Sequence, residues 1–132
     1  MSDPTLPSPG PLQPAIRVMM MPKDTNSVGT IFGGIIMSYI DLAGAVEAKR
    51  WARHRVVTVA MNEVIFHAPV FVGNLVSFYT ETVRLGRTSI AVQVTVEVER
   101  EDDTRDQVTQ AEVVFVQIDD ENRPLPLEDV AS

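Results

Sequence analysis

The chain has 132 residues, 11 of them Lys or Arg and 18 Asp or Glu, for a formal charge of −7 with two His and no Cys. That length predicts one domain that can bury roughly two thirds of its unfolded surface. The absence of Cys excludes disulfides, thiolate metal centres and Cys nucleophiles, and it fits a reducing, cytoplasmic setting; two His leave little for a metal cage, so no metal is expected.

Residues 1–14 carry five of the nine prolines and no apolar pattern, which predicts a disordered or extended arm. Ala15 to Met21 reads as a first strand ended by Pro22, and Pro22 to Thr30 as a polar loop. Ile31 to about Arg53 follows as one helix: Ile35, Ile36, Tyr39, Ile40, Ala43 and Val46 recur at three- and four-residue spacing. Thr30 is its expected N-cap, and Lys49, Arg50, Arg53 and His54 suit its C-terminal dipole. Leu42, Ala45 and Ala48 on other faces predict burial on most sides.

Everything beyond reads as strand: Val56 to Phe66, Leu75 to Leu85, Ser89 to Glu101 and Gln107 to Ile118. In the third of these, Ile90, Val92, Val94, Val96 and Val98 alternate with Gln93, Thr95, Glu97 and Glu99, the pattern of a sheet with one buried face. Asp119 to Ser132 is acidic, contains prolines and reads as a tail, which leaves 15–118 as the domain. One helix plus a meander, β-α-β-β-β-β, is an α+β fold whose sheet must wrap the helix. No apolar run approaches the ~20 residues of a membrane span, and the N-terminus has no signal-peptide core.

The charge is uneven. Residues 97–132 hold 12 acidic and 3 basic residues, so residues 1–96 carry +2. An anionic ligand is therefore expected on the first two thirds of the chain, while the overall acidity argues against nucleic acid as a partner.

No G-x-S-x-G elbow, P-loop, G-x-G-x-x-G or H-E-x-x-H occurs. The unusual stretch is Asn26 to Asp41, NSVGTIFGGIIMSYID. Gly33 and Gly34 sit just inside a helix start, where free N–H groups meet the positive dipole end and a missing Cβ lets a ligand oxygen approach. Asp41 falls mid-helix between Ile40 and Leu42, and a carboxylate among apolar neighbours is usually paired or functional. The plainer reading is that the glycines permit close packing and that Asp41 pairs with Lys49 or a backbone group.

The ordered run MPxDTNxxGxIFGGxxMxxxD, then VT, FxxPVxxGN and GRTS, resembles the hotdog-fold acyl-CoA thioester hydrolases, of the cytosolic brain type and its single-domain bacterial relatives. The resemblance covers about residues 16–118. It implies hydrolysis of a fatty acyl-CoA to free acid and CoA, with no cofactor. It marks Asp41 as the catalytic carboxylate, Asn26 as its partner, and the backbone N–H groups of Gly33 and Gly34 as the donors that polarise the carbonyl. Asp41 is left as either base or nucleophile.

Gly33 and Asp41 are eight residues apart, about 12 Å along one helix, so one thioester cannot lie near both. If both act on one carbonyl, they come from different subunits. The resemblance agrees: it implies a homo-oligomer with the dimer as the minimal active unit, assembled into a hexamer. The CoA phosphates need cations, which lie in two clusters, Lys49–Arg50–Arg53–Arg55 and Arg84–Arg87. The second flanks the turn Gly86-Arg87-Thr88-Ser89 and is the expected CoA-binding segment.

His67 is expected to be structural, Trp51 a packing residue and Met19 to Met21 filler, while Glu47 and Glu63 carry no positional argument. A non-catalytic acyl-CoA-binding module is the rival from another class, but a binder needs no buried acid. A hotdog hydratase or dehydratase is the enzymatic rival, and its His-containing signature is absent before the helix.

Overall fold

The computed structural model describes residues 13–127. Its elements are β1 (Ile16–Met19), α1 (Gly33–Ala48), β2 (Arg55–Phe66), β3 (Leu75–Leu85), β4 (Ser89–Glu99) and β5 (Arg105–Ile118), with a 3₁₀ turn at Pro22–Asp24. The strands form one antiparallel sheet in the order β1-β3-β4-β5-β2. The α+β arrangement and the β-α-β-β-β-β order are as expected.

Alternation decides which face of the sheet meets the helix. Ile90, Val92, Val94, Val96 and Val98 of β4 are fully buried, as are Val113 and Phe115 of β5 and Val76 and Phe78 of β3. Ile36, Ile40, Ala43 and Ala48 of α1 close over them, so the core lies between one helix and one sheet face. Helix and sheet pack tightly at Gly44, where an added Cβ would lie 2.9 Å from the Phe115 ring. Gly44 is therefore a packing glycine that periodicity alone did not single out.

The helix is shorter than expected at both ends. Thr30 does not cap it: the Thr30 hydroxyl accepts the Asn26 amide (2.8 Å), and Phe32, with no side-chain cap bond, takes the N-cap position. Downstream of Ala48 the chain turns, and the N–H groups of Arg53 and His54 donate to Oε1 of Gln117 (2.8 and 3.0 Å). His54 thus sits beyond the helix rather than at its end. Nor is the helix buried on most sides, since Leu42 is 55% and Val46 49% exposed. Val57, Val59, Ile65 and Phe66 of β2, which is an edge strand, are also uncovered.

β5 begins at Arg105 rather than Gln107. Asp102 accepts from the Thr104 N–H and hydroxyl, Asp103 takes a positive φ of 67°, and the turn closes early enough for Arg105 to pair with Glu97 and Glu99. The acidic segment after Ile118 does not start as a free tail. Gln117 donates to the Leu125 and Pro126 carbonyls, and the Leu127 N–H donates to Arg87 O, so 119–127 folds back on the sheet. Residues 1–12 of the proline-rich arm and 128–132 of the acidic end lie outside the described residues.

Candidate active site

The loop before α1 is built by its polar side chains. Asp24 Oδ2 accepts the Met21 N–H (3.0 Å), and the Asp24 carbonyl accepts the Phe32 N–H (2.8 Å), which sets where the helix starts. That Met21 N–H, helped by the Lys23 ammonium, holds the Asp24 carboxyl below its usual range against the opposing effect of burial. Asn26 Oδ1 accepts from Val28 and Thr30 N–H (2.9 and 3.2 Å) while its amide donates to Thr30. Gly29 supplies the positive φ of 92° that the closed loop requires. Asn26 therefore shapes its own loop and keeps one amide hydrogen for a ligand.

Gly33 and Gly34 open the helix, in positions whose N–H groups have no carbonyl four residues back within it. Packing does not demand glycine at 33. A Cβ there would meet the Phe66 ring at 3.6 Å, an ordinary contact, whereas at Gly34 it would meet the Phe32 ring at 2.5 Å. The Gly33 face opens into a depression of about 350 Å³ shared with Thr30, Phe66, His67 and Val70. His67 is exposed there, and its backbone N–H donates to Val108 O (2.7 Å). Phe66 reaches Gly33 after an irregular strand end: the register of β2 slips between Asn62 and Ile65, with Glu63 in the left-handed region at φ 53°.

Asp41 lies two turns further along the same unbroken helix, half-buried. It pairs with neither Lys49 nor a backbone group. Its Oδ1 accepts the hydroxyl of Thr58 on β2 (2.6 Å), which leaves its other oxygen available. Thr58, in the VT pair, is a site neighbour that the periodicity of β2 could not have singled out. About 12 Å of helix separates Gly33 from Asp41, and Asn26 bonds only within its own loop. One chain therefore brings Asn26, Gly33 and Gly34 to one pole and leaves Asp41 apart, facing the uncovered stripe.

The opposite pole carries the β3–β4 hairpin. The hairpin from Arg84 to Ser89 is tied to the end of β5, since Thr88 O accepts the Gln117 N–H and Gly86 N–H donates to Ser89 O. A Cβ at Gly86 would meet the Ser89 hydroxyl, which would have to rotate away. Arg84 pairs with Glu112 across the sheet, while Arg87 has no ion pair among the described residues. Glu47 is buried rather than merely polar surface: its Oε2 accepts from Thr82 Oγ1 (2.6 Å) and Arg50 (3.1 Å), and the Trp51 indole N–H donates to the same Thr82 hydroxyl (2.9 Å). Among the described residues, no three His, Asp or Glu converge as a metal-binding group.

This fold and this sequence have counterparts. A family model described as the thioesterase superfamily matches residues 28–105. The chain is 40% identical over 116 residues to the acyl-CoA thioester hydrolase YciA of Salmonella typhimurium, spanning 85% of this chain and 87% of that one. A 49% match to the uncharacterized acyl-CoA thioester hydrolase ZMO0511 of Zymomonas mobilis covers 62% of this chain and 55% of the relative. Among solved structures, the hexameric hotdog-fold thioesterase Cj0915 of Campylobacter jejuni superposes with a TM-score of 0.82 at 39% identity, covering 89% of this chain and 95% of that one. HI0827, a hexameric broad-specificity acyl-coenzyme A thioesterase, gives 0.82 at 39%, covering 87% and 80%. The chain belongs to the thioesterase superfamily and has its hotdog fold. Within that class its likeness is to single-domain bacterial acyl-CoA hydrolases.

Proposed function

We propose that the chain is an acyl-CoA thioester hydrolase that works as a homo-oligomer, with Asp41 of one subunit completing a site begun by Asn26, Gly33 and Gly34 of another. The observation that carries this is the placement of Asp41. It is a half-buried carboxylate with one oxygen held by Thr58 and one free, on the uncovered side of a helix whose open N-terminus is about 12 Å away. A second copy laid antiparallel over the α1 and β2 stripe covers the exposed apolar side chains and brings its helix start to this carboxylate. The hexameric state of the related structures supports such an assembly, read here as a trimer of dimers.

In that site the N–H groups of Gly33 and Gly34 hold the oxyanion that forms as the thioester carbon becomes tetrahedral. Asp41 either removes a proton from the attacking water or attacks the carbon itself; in both courses a C–O bond forms and the C–S bond breaks. The thiolate of CoA leaves and takes up a proton; on the first course this yields the acid directly, and on the second water then hydrolyses the acyl–Asp41 anhydride to release the acid and restore the carboxylate. A thioester is activated enough that the chemistry asks for no cofactor. The Arg87 turn holds a CoA phosphate remote from the reacting carbon. A protein that only bound acyl-CoA would have no use for a free carboxylate oxygen beside the bond.

Mixing two inactive variants tests the shared site. Asn26→Ala and Asp41→Asn each lower kcat by orders of magnitude when alone. Refolded together, they form mixed pairs in which one of two sites is wholly wild type, and about a quarter of the activity returns. A purified hetero-oligomer no more active than its parents would place both residues in one subunit. Wild-type protein that turns over no acyl-CoA from acetyl to palmitoyl would end the hydrolase reading.

A further inference from the structure

Seven Lys and Arg side chains form ion pairs among the described residues, and six of the seven are at least half exposed. Arg100 is the exception, with its side chain 16% exposed. It stands in the turn between β4 and β5, where its N–H donates to Thr104 O (2.8 Å) and its carbonyl accepts the Asp103 N–H (3.0 Å). From there its guanidinium reaches the β2–β3 connection. Nη1 donates to Pro69 O (2.9 Å) and to Asn74 Oδ1 (2.8 Å), while Nε donates to Asp106 Oδ2 (3.1 Å). The guanidinium carbon also lies 5.8 Å from the centre of the Phe71 ring.

The connection from His67 to Asn74 has no strand or helix of its own. Its shape rests on residues that Arg100 holds. Asn74 is buried, and its Oδ1 takes the Phe71 N–H (2.9 Å) together with Arg100. Asn74 O accepts the Met20 N–H (3.0 Å) and Met20 O the Gly73 N–H (2.9 Å), which joins this stretch to the end of β1. Between Pro69 and Phe71 lies Val70, also buried, whose carbonyl accepts the Ile31 N–H (2.8 Å). Ile31 is two residues before Gly33. The neighbouring bond, from Phe32 N–H to Asp24 O, stays within the loop before α1. The start of α1 is therefore anchored to the sheet side of the molecule by a carbonyl whose neighbours on both sides are held by one guanidinium. Arg100 itself does not line the depression at Gly33.

We infer that Arg100 is a positioning residue for thioester hydrolysis: by holding Pro69 O, Asn74 and Phe71 it fixes the Val70 carbonyl, and through Ile31 it sets the N–H groups of Gly33 and Gly34. The inference rests on the acyl-CoA hydrolase reading above and deepens it. Donors that stabilise an oxyanion are effective when they are held in place before the charge develops. A displacement of about 1 Å at a reacting centre costs on the order of a hundredfold in rate. An irregular connection has little stiffness of its own, and a planar guanidinium, whose donors leave in fixed directions, supplies it. Asp106 on β5 orients that plane by accepting from Nε. Arg100 thus acts on the reaction through Val70 and Ile31, without touching the substrate.

The test compares octanoyl-CoA with S-octanoyl-N-acetylcysteamine, which has the same thioester and no phosphate. Arg100→Gln, assayed well below its melting temperature, should lower kcat by roughly ten- to a hundredfold on both substrates. KM should stay within about twofold on each. Arg100→Lys, which keeps a cationic donor, should recover part of the loss. Amide exchange followed by NMR should show the Ile31 N–H losing protection in Arg100→Gln while β4 and β5 keep theirs. Arg105→Gln, which removes only exposed pairs with Glu97 and Glu99, serves as the control and should change neither readout. Where Arg100→Gln does not fold, Asp106→Ala takes its place, with a kcat loss of roughly threefold and the same split. Unchanged kcat in the folded variant, or a rise in KM confined to octanoyl-CoA, would overturn the assignment. So would a loss of protection as large across the sheet as at Ile31. If the wild type hydrolyses neither thioester, the hydrolase reading fails, and exchange at Ile31 alone decides whether Arg100 holds the helix start.

Discussion

A Cβ at position 33 would touch only the edge of Phe66, at a distance any side chain tolerates. Gly33→Ala should therefore fold as well as the parent, and alanine even favours the helix. If a carbonyl oxygen must approach that N–H closely, the extra methyl displaces it, and kcat should fall on the order of a hundredfold with Tm unchanged. Steady-state kinetics beside a melting curve separates the two effects; wild-type kcat in this variant would remove the Gly33 N–H from the site. Asp24 provides a second residue-scale expectation. Its carboxyl is held low by the Met21 N–H, so the stability it contributes is present above its ordinary value near 3.8 and is lost as pH falls through the lower folded value. Asp102 and Asp119, each held low by N–H or hydroxyl donors, act in the same direction. Acid titration by circular dichroism should show Tm falling below about pH 4, and less steeply in Asp24→Asn, whose Tm at neutral pH already lies below that of the parent.

At the scale of elements, the pole of the sheet depends on Gln117. Gln117→Leu fits the apolar register of β5 but strips the Arg53 and His54 N–H groups of their acceptor. A buried donor left unpaired costs about 1–3 kcal/mol. Differential scanning at fixed protein concentration should show Tm lower by roughly ten degrees, with the 119–127 segment losing amide protection before the sheet does. Most of these elements were legible in the sequence, because alternation and helical spacing are local. Leu75 to Leu85 is found where it was read, and the buried face of β4 is the one that its valines predicted. The helix ends were not legible. Thr30 looks like a cap until its hydroxyl is seen to serve Asn26, and Glu47 looks like surface until Thr82 closes on it from a strand 35 residues away.

At the scale of the whole molecule, among the described residues, both α1 and the edge strand β2 leave large apolar side chains uncovered. Met37, Leu42 and Val46 of α1 and Val57, Val59, Ile65 and Phe66 of β2 are all more than a third exposed. Apolar side chains left uncovered on a helix and on an edge strand are the surface that a partner copy would bury. Leu42→Glu adds a charge to that surface without touching the core, so it should break the assembly and with it the activity, while the single chain keeps its fold. Sedimentation and circular dichroism would show this; an active monomer would contradict the shared site.

From its sequence alone, the chain determined its α+β order, its buried strand faces, the Gly33–Asp41 spacing and the family motifs, since each is carried by residues close together along the chain. The tertiary structure decided what those residues face. Asp41 is bonded by Thr58 rather than Lys49, and Asn26 is engaged with its own loop. Two cation clusters some thirty residues apart share one pole because Gln117 binds both segments. Hydrogen-bond partners across a sheet depend on which strands become neighbours, and periodicity along one strand does not record its neighbour.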